Sequence, residues 1–235
     1  MSADPGERRA VLGCGCGGLV AGALALIVAL AWFGYRKGEG FRASLRDPES
    51  RAAASREVLG YRELPAGYHP MGGFSIPFAM EMAMLSDREP APGEEIEGPE
   101  QAFGRRGFVF LVTRASGRQE AELRAYFRGE REEVTFYQEI DRRFTGGEVL
   151  GRGRLRAGGA EVHYVAERGR MELGEGPAPT VLTRLLVECP EASRLRTALW
   201  FEPAAPAGAA GEPLGGTPAD PEALRRFLDH FRLCG

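Results

Sequence analysis

An α+β fold is what the sequence predicts: a single N-terminal transmembrane helix, then one antiparallel sheet of about six strands covered by helices. Three observations predict it. Large apolar residues alternate with small or polar ones from Phe74 to Met84; four strand-like segments follow one another between residues 148 and 202 with turn residues between them; and helical spacing is confined to residues 118–143 and 220–233. Strand runs flanked by helices, without regular strand–helix alternation, exclude a parallel doubly wound sheet.

The N-terminal helix comes first. From Val11 to Trp32 the chain carries no charge and is built of Val, Leu, Ile, Ala, Gly, two Cys and Trp32, long enough at helical rise to cross a hydrocarbon layer of roughly 30 Å. Arg8 and Arg9 precede the run, Arg36 and Lys37 follow it, and Trp32 and Tyr35 stand where aromatic rings prefer the headgroup layer. Residues 1–9 then form a short tail, 10–35 the anchor, 36–60 a stalk with a short helix, and 61–235 a soluble domain. A cleaved signal peptide is the rival, but its apolar core is shorter, roughly 7–15 residues, and ends in a small-x-small site. Gly18, Gly22 and Ala25 lie on a small-residue face that would let two membrane helices approach closely, giving homo- or hetero-oligomers. Gly13-Cys14-Gly15-Cys16-Gly17-Gly18 matches a dinucleotide fingerprint only by accident, since no strand can precede it.

Composition sets the compartment. Lys37 is the only lysine among many arginines, and Ala, Gly and Pro are abundant, which points to a GC-rich bacterium. The net charge of −3 and the lack of a basic patch interleaved with aromatics exclude nucleic acid as a partner class. The lipid bilayer is the partner the anchor implies. Flanking charge alone favours a cytoplasmic domain, but long domains translocate largely regardless of charge. The expectation is an inner-membrane protein with its domain outside. Cys189 and Cys234 fit that side of the membrane if they pair, the alternative being two buried free thiols.

Beyond the anchor, Asp47-Pro48-Glu49 is a helix start and Gly60 a stop. Ala52, Ala53, Ala54 and Val58 give that helix only a thin apolar face, so it reads as a spacer or a surface helix and not as a core element. One strand is predicted over 73–85, with Pro77 at an edge or bulge, and Met80, Met82 and Met84 read as core filler. Glu89, Glu94, Glu95, Glu97 and Glu100 mark a solvated acidic loop, and Gly107–Thr113 a buried strand. Leu123, Phe127, Val134, Tyr137, Ile140 and Phe144 recur at helical intervals, as one kinked helix or two short ones. Strands follow at about 148–156, 160–168, 181–189 and 194–202, turning at Ala157-Gly158-Gly159 and at Pro190–Ser193. Pro203–Pro218 is a low-complexity loop, and Asp220-Pro221-Glu222 opens a closing helix through Leu224, Phe227, Leu228 and Phe231.

No catalytic, cofactor or metal pattern emerges. His69, His163 and His230 each lack a second ligand at zinc spacing, and no phosphate loop, nucleophile elbow or H-E-x-x-H is present. Cys189 with His163 as nucleophile and base is a weak reading beside a second cysteine. The function expected is a binding or accessory module. Two others stand beside it: an enzyme or sensor using scattered groups such as Glu161, His163 or Glu167, and a structural subunit held by its membrane helix.

The order of anchor, Pro65-Ala66-Gly67-Tyr68 turn, Phe/Ile/Met strand, Phe108–Val112 strand, helical region, meander and terminal Leu/Phe helix resembles Mog1/PsbP-like domains over residues 61–233, and uncharacterised anchored proteins of GC-rich bacteria. That resemblance implies an α/β/α sandwich with a binding or accessory role, and carries over no functional residue.

Overall fold

A computed structural model describes residues 47–235 apart from 77, 92–93, 95, 97–98, 138–142, 173–175, 191–192 and 205–214. The expected tail, anchor and first part of the stalk, with Gly18, Gly22 and Ala25, lie outside the described residues, as does Pro77. Among the described residues no helix is long and apolar enough to cross a membrane.

Helix α1 (Pro48–Leu59) leads into β1 (His69–Ile76) and β2 (Met80–Ser86), then the one-turn helix α2 (Pro99–Ala102), β3 (Gly107–Thr113) and α3 (Gly117–Arg128). A 3-10 turn at Thr135–Tyr137 precedes β4 (Phe144–Ala157), β5 (Ala160–Glu172), β6 (Pro177–Glu188) and β7 (Leu195–Pro203), and α4 (Pro221–Leu228) follows. The seven strands form one sheet in the order β1-β2-β3-β7-β6-β5-β4, every neighbouring pair antiparallel.

Both faces of the sheet are covered. On one, Leu59 of α1 and Ala223, Leu224, Phe227 and Leu228 of α4 pack with Phe108, Phe110, Leu185 and Trp200. On the other, Leu123, Tyr126 and Phe127 of α3 and Tyr137 of the 3-10 turn pack with Val165, Leu182, Leu186, Leu199 and Phe201. The alternation in β7 therefore sorts residues between two cores instead of between core and water: Leu195, Leu199 and Phe201 enter one, Ala198 and Trp200 the other. Aromatic rings dominate the first core. Phe227 lies on the Trp200 indole with ring centroids 4.2 Å apart and planes 8° from parallel, and Phe231 stacks on Phe108 at 5.2 Å.

Four expectations are corrected. The strand predicted over 73–85 is a hairpin: the period of two runs through a turn in which Ala79 N–H bonds Ile76 C=O, so β1 and β2 together make seven strands instead of six. Second, α1 is no spacer. Its small residues let it settle against β1, where Ser55 Oγ donates to Gly72 C=O at 2.9 Å and a Cβ on Gly73 would come within 3.0 Å of the Ala54 backbone. A thin apolar face is thus a close-approach face. Third, among the described residues the helical spacing over 118–143 spans different structures, while Ile140 lies outside them. Ser116 and Gln119 form a capping box at the start of α3, Gly129 ends it in the left-handed conformation at φ 81°, and Phe144 opens a strand. Fourth, three of the meander strands run longer than predicted, β4 from 144, β5 to 172 and β6 from 177.

Candidate functional site at the hairpin end

Register puts several chain reversals at one end of the sheet. Ile76 stands opposite Met80, Met80 opposite Thr113 and Thr113 opposite Leu195, while Ala157 faces Ala160 and Glu161 faces Glu188. The β1–β2 turn, the β3–α3 junction, the β4–β5 turn and the β6–β7 turn thus share this end.

Two features stand out there. At the tip of the first hairpin Phe78 is 78% exposed with φ 64°, the only left-handed non-glycine backbone among the described residues. Such a conformation costs an L-residue roughly 1–2 kcal/mol, and an exposed ring repays none of it through packing. Ile76 beside it is also exposed, and Met80 and Met82, expected as core filler, are only half-buried. Met84 does pack, against Met71, Ile96 and Ala102.

The second feature is polar. Glu161 and His163, two apart on β5, point to the same face, and Glu188 at the end of β6 joins them. His163 Nε2 lies 3.4 Å from Glu188 Oε2 and 3.8 Å from Glu161 Oε1, and one ligand atom from each residue falls within 4.8 Å of the other two. Nε2 is shut off from solvent and makes no hydrogen bond. Glu161 and Glu188 are direct cross-strand partners, a like-charge placement that is ordinarily unfavourable. Arg124 of α3 pairs with Glu188 Oε1 and, at 2.9 Å, with Glu120. Arg154 approaches Glu161 Oε1 at 3.7 Å. A cleft of about 710 Å³ opens beside the cluster, lined among others by Glu120, Arg124, Arg156, Glu161, Glu188 and Arg194.

The wall of this cleft is fastened from behind. Cys189 and Cys234 are bonded, with Cα atoms 5.6 Å apart, so Cys189 has no thiol with which to act as nucleophile. Gly158 N–H donates to Asp229 Oδ1 at 3.1 Å, Leu233 N–H to Gly158 C=O at 3.3 Å and Arg232 N–H to Leu59 C=O at 2.8 Å. The segment after α4 thereby ties the end of α1, the β4–β5 turn and the end of β6 together.

The other residues considered from sequence are elsewhere. Glu167 points to the same face as His163 but is covered by α3, where it pairs with Arg184. That guanidinium donates to Tyr126 Oη at 3.3 Å and stands over the rings of Tyr137 and Phe144, so the pair belongs to the core. His69 begins β1 at the opposite end of the sheet, and His230 Nδ1 lies 3.3 Å from Glu63 C=O. Sequence reasoning missed Glu188 as a companion of His163. The signal available was Glu161-x-His163 on a strand, but the sequence places the two strand ends at about 168 and 181, a gap too long to fix register; the strands in fact continue to Glu172 and from Pro177, so the third group could not be read from spacing.

No protein-family profile matches the chain, and no curated protein does. Among solved structures the chain is similar in fold to the Saccharomyces cerevisiae Ran-binding protein Mog1p, with 15% identity, a TM-score of 0.35, and coverage of 69% of this chain and 84% of that one.

Proposed function

We propose that this chain is a single-pass, membrane-anchored binding or accessory module whose domain stands on the outer face of a bacterial inner membrane and meets its partner at the hairpin end of the sheet. Phe78 carries the reading: an aromatic ring held exposed on a strained backbone serves contact with something outside the domain. The uncharged run from Val11 to Trp32 supports the anchor, and the Cys189–Cys234 bond supports an oxidising compartment. Affinity capture from detergent extract tests it. The partner recovered with the full chain is expected to be recovered without residues 1–36 and lost with Phe78→Asp. Dependence on residues 1–36 instead points to a subunit assembled through the Gly18, Gly22 and Ala25 face.

A second reading, an enzyme or sensor, is favoured by the convergence of His163 with Glu161 and Glu188 beside an open cleft. Turnover or signalling that survives Phe78→Asp but fails in His163→Ala would select it.

A further inference from the structure

We infer that Glu161, His163 and Glu188 bind one divalent transition-metal cation of the zinc type at the mouth of the cleft. The inference rests on reading the hairpin end as the ligand site and names a ligand for it. Donor chemistry comes first. One imidazole with two carboxylates suits zinc or manganese, and three protein donors with an open fourth side make the arrangement of an accessible site, not of a closed structural one.

Spacing comes second. With metal–ligand bonds of about 2.0–2.2 Å, donors around a tetrahedral ion stand roughly 3.3–3.5 Å apart. His163 Nε2 is 3.4 Å from Glu188 Oε2 and 3.8 Å from Glu161 Oε1, so the first distance matches the edge of such a polyhedron and the second lies just beyond it. Both are longer than a well-formed hydrogen bond between the same groups, about 2.7–2.9 Å.

Two further observations ask for a cation. Nε2 is closed off from solvent with no hydrogen-bond partner, an orphaned polar atom that a metal would satisfy. Glu161 and Glu188 face each other across the β5–β6 ladder, where an ion between them turns a repulsion into a shared attraction. Arg124 grips the other oxygen of Glu188, Oε1, and so turns Oε2 toward the imidazole, an orienting contact of the kind that supports metal ligands. Arg154, largely exposed, reaches the same Glu161 oxygen at 3.7 Å and is the competitor that a metal displaces.

Isothermal titration of the full chain in detergent, stripped with chelator and carrying Cys14→Ser and Cys16→Ser to remove the thiols near the N-terminus, tests this with Zn²⁺ and, separately, Mn²⁺. One Zn²⁺ per chain is expected, with affinity weakened at least about tenfold by His163→Ala and by Glu188→Gln, the loss seen when even a group supporting a ligand is removed. Arg154→Ala should tighten binding, which no simple loss of structure would do. Glu161→Gln keeps shape at a half-exposed position and guards against a misfolded His163 variant; melting curves without metal confirm the fold. Failure to bind one ion, or binding unmoved by His163→Ala and Glu161→Gln, overturns the inference. Loss of partner capture in Phe78→Asp with no Zn²⁺ binding in the parent would sink the metal alone and leave the binding module standing.

Discussion

Tyr68 shows how one side chain joins two layers, its hydroxyl to β7 and its ring to α4. Trp200 Nε1–H donates to its oxygen at 2.7 Å, and the hydroxyl donates to Glu202 at 2.9 Å, while its ring packs edge-on against Phe227. Burial holds the phenol above its ordinary range, and burial likewise raises the Glu202 carboxyl, opposed by the Tyr68 hydrogen bond. A carboxyl raised on folding contributes stability fully present below its unfolded value and lost as pH rises through the folded one. Tyr68→Phe removes the donor that eases ionisation, so its cost, about 1–3 kcal/mol, should be larger near pH 7 than near pH 4 in urea titrations. A cost independent of pH would contradict this. The buried Arg184–Glu167 pair makes a different case. Removing one partner strands a charge in the core, so Arg184→Met should cost about 3–5 kcal/mol, whereas Arg184→Met with Glu167→Leu should restore most of that. Additive losses in the same titrations would mean that the pair is not the unit.

Elements are set by their ends as much as by their faces. Asp220 accepts from the Glu222 N–H at 3.0 Å and from the Gly216 N–H at 3.0 Å, so it caps α4 and also fastens the segment before it. These bonds, that of Gly216 foremost, hold its carboxyl below the usual range. The contribution is therefore present above the unfolded value and lost as pH falls through the folded one. Asp220→Ala is expected to cost about 1 kcal/mol at neutral pH, with Asp220→Asn nearer the parent and less sensitive to acid. Thermal melts at neutral and acid pH decide between them. Such caps were legible in the sequence, as were the meander and the closing helix, because each rests on local chemistry. What stayed hidden depended on partners distant along the chain. Ala54 looks like filler until Gly73 lies against it, and Met82 looks like core until its strand proves to sit near the edge of the sheet. His163 is a lone histidine until Glu188 arrives from the next strand.

At the scale of the whole molecule the Cys189–Cys234 bond spans 45 residues, across which the low-complexity segment and α4 both fall. A loop of that length corresponds to about 4 kcal/mol in the chain-entropy treatment. The double variant Cys189→Ser, Cys234→Ser should lose a comparable amount in urea titrations, and reductant should do the same to the parent while leaving the variant unmoved. Alkylation of the chain carrying Cys14→Ser and Cys16→Ser, before and after reduction and read by intact mass, should add two labels only after reduction. Full labelling without reductant would remove both the bond and the case it makes for an oxidising compartment.

That bond also orders events in time. Cys234 follows all seven strands and α4, and the rings of Phe227 and Phe231 that cover Trp200 and Phe108 are made late as well. A nascent chain can pair β1 through β7 and seat α1 once Pro203 has emerged, yet the part of that face that α4 covers stays open until roughly thirty more residues follow. Neither the ribosome nor a translocation pore holds a finished domain at any earlier moment. The landing of α4 and the meeting of the two sulfurs are therefore among the last contacts the chain can make, and the interval just before them is the one expected to be open to aggregation or proteolysis.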